Sequence, residues 1–279
     1  MRQLIIEKGK EKNGLITLTG KEYRYLRQVL RVRVGDMVSV RLPDGSLNNA
    51  TVAQIDEAAR IVTLQICAET GKSITRGVQA GEVAGELENG AGAAGVEYWL
   101  FQFIPRPQKF ELIVRQATEC GVSVIVPVLG EYSEKSSAQA LIGSKRERLE
   151  RIIREARQQS GSPIDTKVLE PVNLEKAIEL WAGKEGDVVK EGDVAFVLSE
   201  RGDCDGNLRA VIEKASGHGA IKRVAIAVGS EGGISPDEVR ALENKGLFVP
   251  IHFAVNILRC ETAALYGIAA VQSTIQGGV

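Results

Sequence analysis

Two runs, Val194-Ala195-Phe196-Val197-Leu198 and Val224-Ala225-Ile226-Ala227-Val228, are apolar at every position, and no other feature limits the fold as much. A strand with one face in water alternates polar and apolar residues. A strand apolar on both faces has to be covered by helices on both sides, as in a parallel sheet. The surrounding pattern agrees. From Glu97 onward strands are expected at 97–104, 122–128, 193–199, 222–228 and 247–251, with a weaker one near 166–170. Helical periodicity falls between them, at 107–120, 145–159, 173–182, 207–215, 236–245 and 260–275. The polar segment 183–192 reads as a surface insertion.

The first seventy residues follow a different rule. Leu15-Ile16-Thr17-Leu18, Met37 to Leu42, Asn49 to Ala53 and Arg60 to Ile66 read as short strands, with a turn at Asp44-Gly45. One helix interrupts them, with Thr19 at its cap and Tyr23, Leu26 and Leu30 on its apolar face. A small β-barrel with one helix is expected. Residues 71–95 hold seven Gly and five Ala with no hydrophobic period, which is the composition of a linker. The chain therefore divides into 1–70, a linker at 71–95, and an α/β domain at 96–279.

Charge and cysteine usage exclude several classes. Lys plus Arg number 35 and Asp plus Glu 36, so the net charge is −1. That near balance conceals two basic stretches. Residues 21–33 carry Lys21, Arg24, Arg27, Arg31 and Arg33 against Glu22, and residues 145–157 carry Lys145, Arg146, Arg148, Arg151, Arg154 and Arg157 against three glutamates. Such stretches are either solvated helix faces or phosphate-binding surfaces. Cys67, Cys120, Cys204 and Cys260 are scattered, and His218 and His252 are the two histidines, so no metal-ligand spacing occurs and no metal is expected. A reducing cytoplasm fits this usage. No stretch approaches the ~20 apolar residues of a membrane span.

Chemistry concentrates near the C-terminus. Gly229-Ser230-Glu231-Gly232-Gly233-Ile234-Ser235 follows a buried strand and precedes a helix, with Ser235 and Glu238 spaced as a capping box and Pro236 at the first helical position. Glycines here let backbone approach a ligand at the carboxyl end of a strand, where α/β sheets bind ligands, but an ordinary tight turn fits equally well. The Gly-Lys-Ser/Thr ending of a phosphate-binding P-loop is missing. A second segment, Asn256 to Ala263, sets Arg259 and Glu261 on either side of Cys260 at a helix start. Glu261 there suits the helix dipole, whereas an Arg in an apolar loop calls for an anionic partner.

These two segments resemble signature motifs of the SPOUT RNA methyltransferases, and most closely the ribosomal RNA small-subunit methyltransferase E family. Tyr25 to Asp36 is similar to that family's PUA-like N-terminal segment, Gln116-Ala117-Thr118-Glu119-Cys120-Gly121-Val122 to its helix-to-strand motif, and Arg154 to Gly161 to its Glu-Ala-x-x-Gln-Ser segment. The chain departs from the usual pattern at Ser230 (Pro), Cys260 (Thr), Ser162 (Arg) and Cys120 (Leu).

The resemblance implies a trefoil-knotted domain behind a PUA-like barrel. It implies S-adenosylmethionine held by Leu198, Ser199 and Glu200, by Gly229, Gly232 and Gly233, and by Asn256, Ile257, Leu258 and Thr262, with Ile251, Ile257 and Leu258 forming an apolar slot for adenine. Methyl transfer to N3 of a 16S rRNA uridine would use Arg259 to stabilise the uracil anion and Glu261 or Glu231 to orient or accept the proton. Arg24, Arg27, Arg31 and Arg33, with Lys145, Arg148, Arg151 and Arg154, would grip rRNA phosphates, within a homodimer acting on the small ribosomal subunit. Another RNA target, such as tRNA or 23S rRNA, and a non-catalytic ribosome-assembly factor stay open as alternatives.

Overall fold

The computed structural model describes residues 3–67, 95–182, 191–199, 207–217 and 219–277. Glu200, nearly all of the 71–95 linker and most of the 183–192 insertion lie outside the described residues. Two compact units emerge, one holding the N-terminal residues with Gln158–Gly161 and the other holding the rest.

The first unit comprises β1 (Leu4–Ile5), β2 (Glu11–Lys12), β3 (Leu15–Leu18), α1 (Gly20–Arg24), a π-helical stretch (Tyr25–Leu30), β4 (Met37–Arg41), β5 (Leu47–Asp56) and β6 (Ile61–Ile66). The strands form one sheet in the order β1-β4-β5-β6-β3-β2, antiparallel except for β1 against β4. The period-2 patterns place Ile16, Leu18, Val38, Val40, Ala50, Val52, Val62 and Leu64 in one core, which Leu26 of the helical segment plugs. The sheet runs from β1 at one end to β2 at the other. Thr19 occupies the N-cap position of α1, but its side chain makes no capping bond. The helical segment ends at Arg31, which adopts a left-handed conformation (φ 55°).

The second unit contains β7 (Glu97–Phe103), α2 (Pro107–Glu119), β8 (Val124–Leu129), α3 (Lys135–Leu141), α4 (Ser144–Ser160), β9 (Lys167–Val168), β10 (Val172–Asn173), α5 (Leu174–Ala182), β11 (Asp193–Leu198), α6 (Leu208–Ser216), β12 (Arg223–Val228), α7 (Pro236–Gly246), β13 (Val249–Ile251) and α8 (Cys260–Ile275). The sheet runs β10-β8-β7-β12-β11-β13, with β9 also on β8, and every pairing is parallel. Alternate residues of each apolar strand enter different cores, as a sheet covered on both faces requires. Tyr98, Leu100, Phe196 and Ile226 pack with Phe110 and Ile113 of α2, Ile152 of α4, Ile212 of α6 and Ile268 of α8. Phe101, Phe103, Ala195, Val197, Ala225 and Ala227 face the opposite layer, made by Trp181 of α5, Leu242 of α7 and Phe248. The small residues on that face leave room for an aromatic cluster in which Phe101 meets Phe248 edge-on, with ring centroids 5.5 Å apart.

The first residues of β11 and β12, Asp193 and Arg223, stand opposite each other in register. The Arg223 guanidinium donates to both carboxylate oxygens of Asp193 and lies 4.6 Å from the Trp181 ring centroid. Asp193 is almost fully covered (3% exposed), so removing it strands a partly buried cation. Asp193→Ala is expected to cost about 2 kcal/mol in denaturant unfolding, less than the ~3–5 kcal/mol of a fully enclosed pair because Arg223 retains some solvent. A loss below about 0.5 kcal/mol would show that the pair contributes nothing to holding this sheet edge.

Candidate active site

Parallel strands all end at one edge, and the order β12-β11-β13 sets three of those ends side by side. The exits of β11 and β13 are tied together: Ser199 N–H donates to the Ile251 carbonyl at 2.9 Å, and His252 Nδ1 lies 3.2 Å from the Ser199 carbonyl. Helix α8 lies close against them because Gly267 has no side chain. A Cβ there would sit 2.6 Å from Leu198 Cδ1.

The glycine loop leaves β12 and folds onto itself. Gly233 N–H donates to the Ser230 carbonyl at 3.1 Å, with Gly233 in the left-handed region (φ 80°). A Cβ on Gly229 would lie 2.6 Å from the Gly233 carbonyl carbon, and one on Gly232 would lie 2.7 Å from Tyr132 Cβ. Ser230, where the resembled family usually has Pro, donates its hydroxyl to the Tyr132 carbonyl at 2.9 Å, a bond that Pro could not make. The expected capping box is present, and its Glu238 also accepts from Glu131 N–H at 2.7 Å, so one carboxylate joins helix α7 to the β8–α3 loop.

Gln102 anchors this loop from inside the sheet. Its side chain is fully buried and its amide nitrogen donates to the carbonyls of Phe103 (2.9 Å), Val228 (3.3 Å) and Gly229 (3.0 Å). A polar residue between Phe101 and Phe103 in an apolar strand is the sequence signal that identifies it, since a buried amide needs partners.

The decisive contact comes from a residue the motifs do not include. Lys109, in the first turn of α2, places its Nζ 3.3 Å from Glu261 Oε2 and 3.7 Å from Glu231 Oε1. Arg106 N–H also donates to Glu231, at 3.2 Å. The glycine loop and the start of α8 therefore meet around one ammonium group. Burial, the largest influence on Glu261, raises its carboxyl pKa, but its own backbone N–H, the Cys260 thiol and Lys109 together hold it below the usual carboxylate range. Cys260 is pushed up to about 12, first by burial and then by Glu261, so its thiol stays protonated.

Residues 94–272 match the profile of the RNA methyltransferase domain family. The chain belongs to the RNA methyltransferase family. A ribosomal RNA small subunit methyltransferase E of Aquifex aeolicus is 31% identical over 155 residues, 56% of this chain and 58% of that one, so that match spans little more than half of either protein. The protein of the same name from Buchnera aphidicola (subsp. Acyrthosiphon pisum) is 23% identical over 271 residues, 97% of this chain and 92% of that one. Among solved structures, a ribosomal RNA small subunit methyltransferase E of Neisseria gonorrhoeae bound to S-adenosyl methionine superposes with a TM-score of 0.70 at 22% identity, covering 98% of this chain and 97% of that one. At that identity the likeness is one of fold.

Within the methyltransferase domain, Leu198, Ser199 and Ile251 gather at the joined strand exits, and Gly229, Gly232 and Gly233 lie at the neighbouring exit. Ile251 is buried in the core, while Asn256, Thr262 and Ile257 (79% exposed) stand in solvent and Leu258 is half-buried. Arg259 caps α8 with an exposed side chain that has no ion-pair partner among the described residues. Of the basic residues, Arg24, Arg31, Arg33, Arg151 and Arg154 reach solvent. Arg27 is held internally by Glu57 and the Val32 carbonyl, and Arg148 is held by Glu111 at 2.6 Å. Lys145 is half-buried.

Proposed function

We propose that this RNA methyltransferase uses S-adenosylmethionine to methylate N3 of a uridine in 16S rRNA. The observation that carries the reading is the convergence of the glycine loop and the Arg259–Glu261 turn around Lys109, beside three adjoining strand ends. The names of the relatives, together with the bound S-adenosyl methionine of the Neisseria structure, support the cofactor and the small-subunit rRNA target.

The residues present suit such a ligand. At Gly229 and Gly232 the room a Cβ would need is taken by the Gly233 backbone and by Tyr132, so glycine lets the loop close tightly on itself at the strand exit where the cofactor would lie. Leu198, Ser199, Glu200, Gly229, Gly232, Gly233, Ile251, Asn256, Ile257, Leu258 and Thr262 would hold the cofactor, with Ile257 available to cover an adenine ring. When bound, S-adenosylmethionine supplies an electrophilic methyl group already activated by its sulfonium.

The protein then has to position the uracil and help it lose the N3 proton. Arg259 has no ion-pair partner among the described residues, and it stabilises the uracil anion. Glu231 and Glu261, both engaged by Lys109, orient the uracil, and one of the two accepts the proton that leaves N3. The reading includes a PUA-like RNA-binding region at 1–70, a linker at 71–95, a knotted domain at 96–279, a homodimer and a cytoplasmic location. The position of β13 beyond β11, although it follows β12 in sequence, supports the knotted reading. Calorimetry with S-adenosylhomocysteine and with ATP tests the cofactor assignment. Saturable binding of the first alone is expected, and binding of ATP alone would transfer the glycine loop to a nucleotide-dependent function.

A further inference from the structure

A concavity opens beside the first turn of α2. It has a volume of ≈ 570 Å³ and is lined by Arg106, Pro107, Gln108, Glu111, Glu134, Ser136, Lys145 and Arg148. The size falls within the usual range for small-ligand clefts, about 300–1,000 Å³. Its charges are unevenly committed. Arg148 and Glu111 neutralise each other through a hydrogen bond from Nη2 at 2.7 Å and an ion-pair contact from Nε at 2.6 Å. The Glu134 carboxylate accepts the neighbouring Ser136 hydroxyl at 2.8 Å and meets no cation among the described residues. The side chains of Arg106 and Lys145 have no ion-pair partner among the described residues. The cleft thus offers two free cations, one carboxylate and the Gln108 amide.

Resting on the methyltransferase reading, we propose that this cleft receives one nucleotide of the RNA beside the target uridine, with its phosphate on Arg106 and Lys145 and its base edge against Glu134 and Gln108. The cleft adjoins the reacting centre through one residue, because Arg106 donates its backbone N–H to Glu231 while its side chain lines the cleft. A free carboxylate repels a phosphate but accepts from an exocyclic amino group, so the base it favours carries one, as cytosine does. Arg and Lys contacts to phosphate position the strand and carry no sequence information, whereas Glu134 and Gln108 read the base.

The test uses the full chain, S-adenosylmethionine and a 16S rRNA fragment that it methylates. Arg106→Ala with Lys145→Ala is expected to lower RNA affinity and to reduce the salt dependence of binding by about one unit of slope for each phosphate no longer neutralised. S-adenosylhomocysteine affinity stays at the wild-type value, which shows that the variant folds. Arg106→Lys keeps the slope. Glu134→Gln and Gln108→Ala leave the slope unchanged and reduce the penalty for placing uridine at the flanking position. A wild-type slope in the double variant overturns the cleft while leaving the methyltransferase reading intact. Failure of the wild-type protein to methylate any 16S fragment overturns both.

Discussion

Gly229→Ala is expected to abolish S-adenosylhomocysteine binding, with affinity falling at least 100-fold and methylation falling with it. The new methyl would lie 2.6 Å from the Gly233 carbonyl carbon and 2.7 Å from its Cα, both backbone atoms that cannot rotate away. Relief requires the turn to open, and the turn is what brings Glu231 to Lys109. The loop is pinned from three directions, by Gln102 at the Gly229 carbonyl, by Ser230 at Tyr132 and by Glu238 at its far end, so it has little freedom to adjust. The strain stays local because the β12 core residues remain packed, and the circular dichroism spectrum should match wild type. Gly143→Ala is the control: it has nothing within 4 Å of its added carbon and should bind normally. Wild-type affinity in Gly229→Ala would mean that the cofactor does not use this turn.

Arg259→Ala is expected to lower kcat by about 10²–10³-fold while S-adenosylhomocysteine affinity changes little. This magnitude is what removing one preorganised donor from a developing anion typically costs. Arg259 begins α8, and Glu261 in the first turn is already engaged with Lys109 and Cys260. The guanidinium is therefore the group left to meet a uracil anion. Arg259→Lys restores part of the rate, since charge returns without the planar fork. A variant with unchanged kcat would remove Arg259 from the chemistry. A variant that lost cofactor affinity equally would assign it to binding.

The strongly periodic parts of this fold were legible in the sequence. All six helices expected beyond Glu97 form, and the expected strands agree to within two residues at either end. Apolar runs report burial directly, and Ser235 with Glu238 reports a helix start. Helix α3 and strand β10 were not legible. Neither has a long apolar period, and β10 forms by pairing with a strand distant in sequence, Val172 beside Val128. The N-terminal strands were visible, but their order in the sheet is a matter of tertiary pairing that alternation does not encode.

At the site, the motif residues marked the two loops but not what joins them. Lys109 is an ordinary polar position on an amphipathic helix, and nothing local distinguishes it from Lys176, which among the described residues pairs along its own helix. It becomes important because the parallel order brings β7, and with it α2, beside β12. The basic runs do not show which of their charges are already paired, for a related reason. Arg27 and Arg148 read as free charges in sequence, yet each finds a carboxylate at least thirty residues away.

The measurement that bears most directly on the central claim is nucleoside mapping by mass spectrometry of 16S rRNA from cells with and without the protein, together with methylation of the unmodified rRNA by the purified chain and S-adenosylmethionine. One N3-methyluridine should disappear from the cells lacking the protein and reappear in vitro. Identical methylation in both rRNA populations, or a restored methyl on a ribose, a guanine or another RNA, would contradict it.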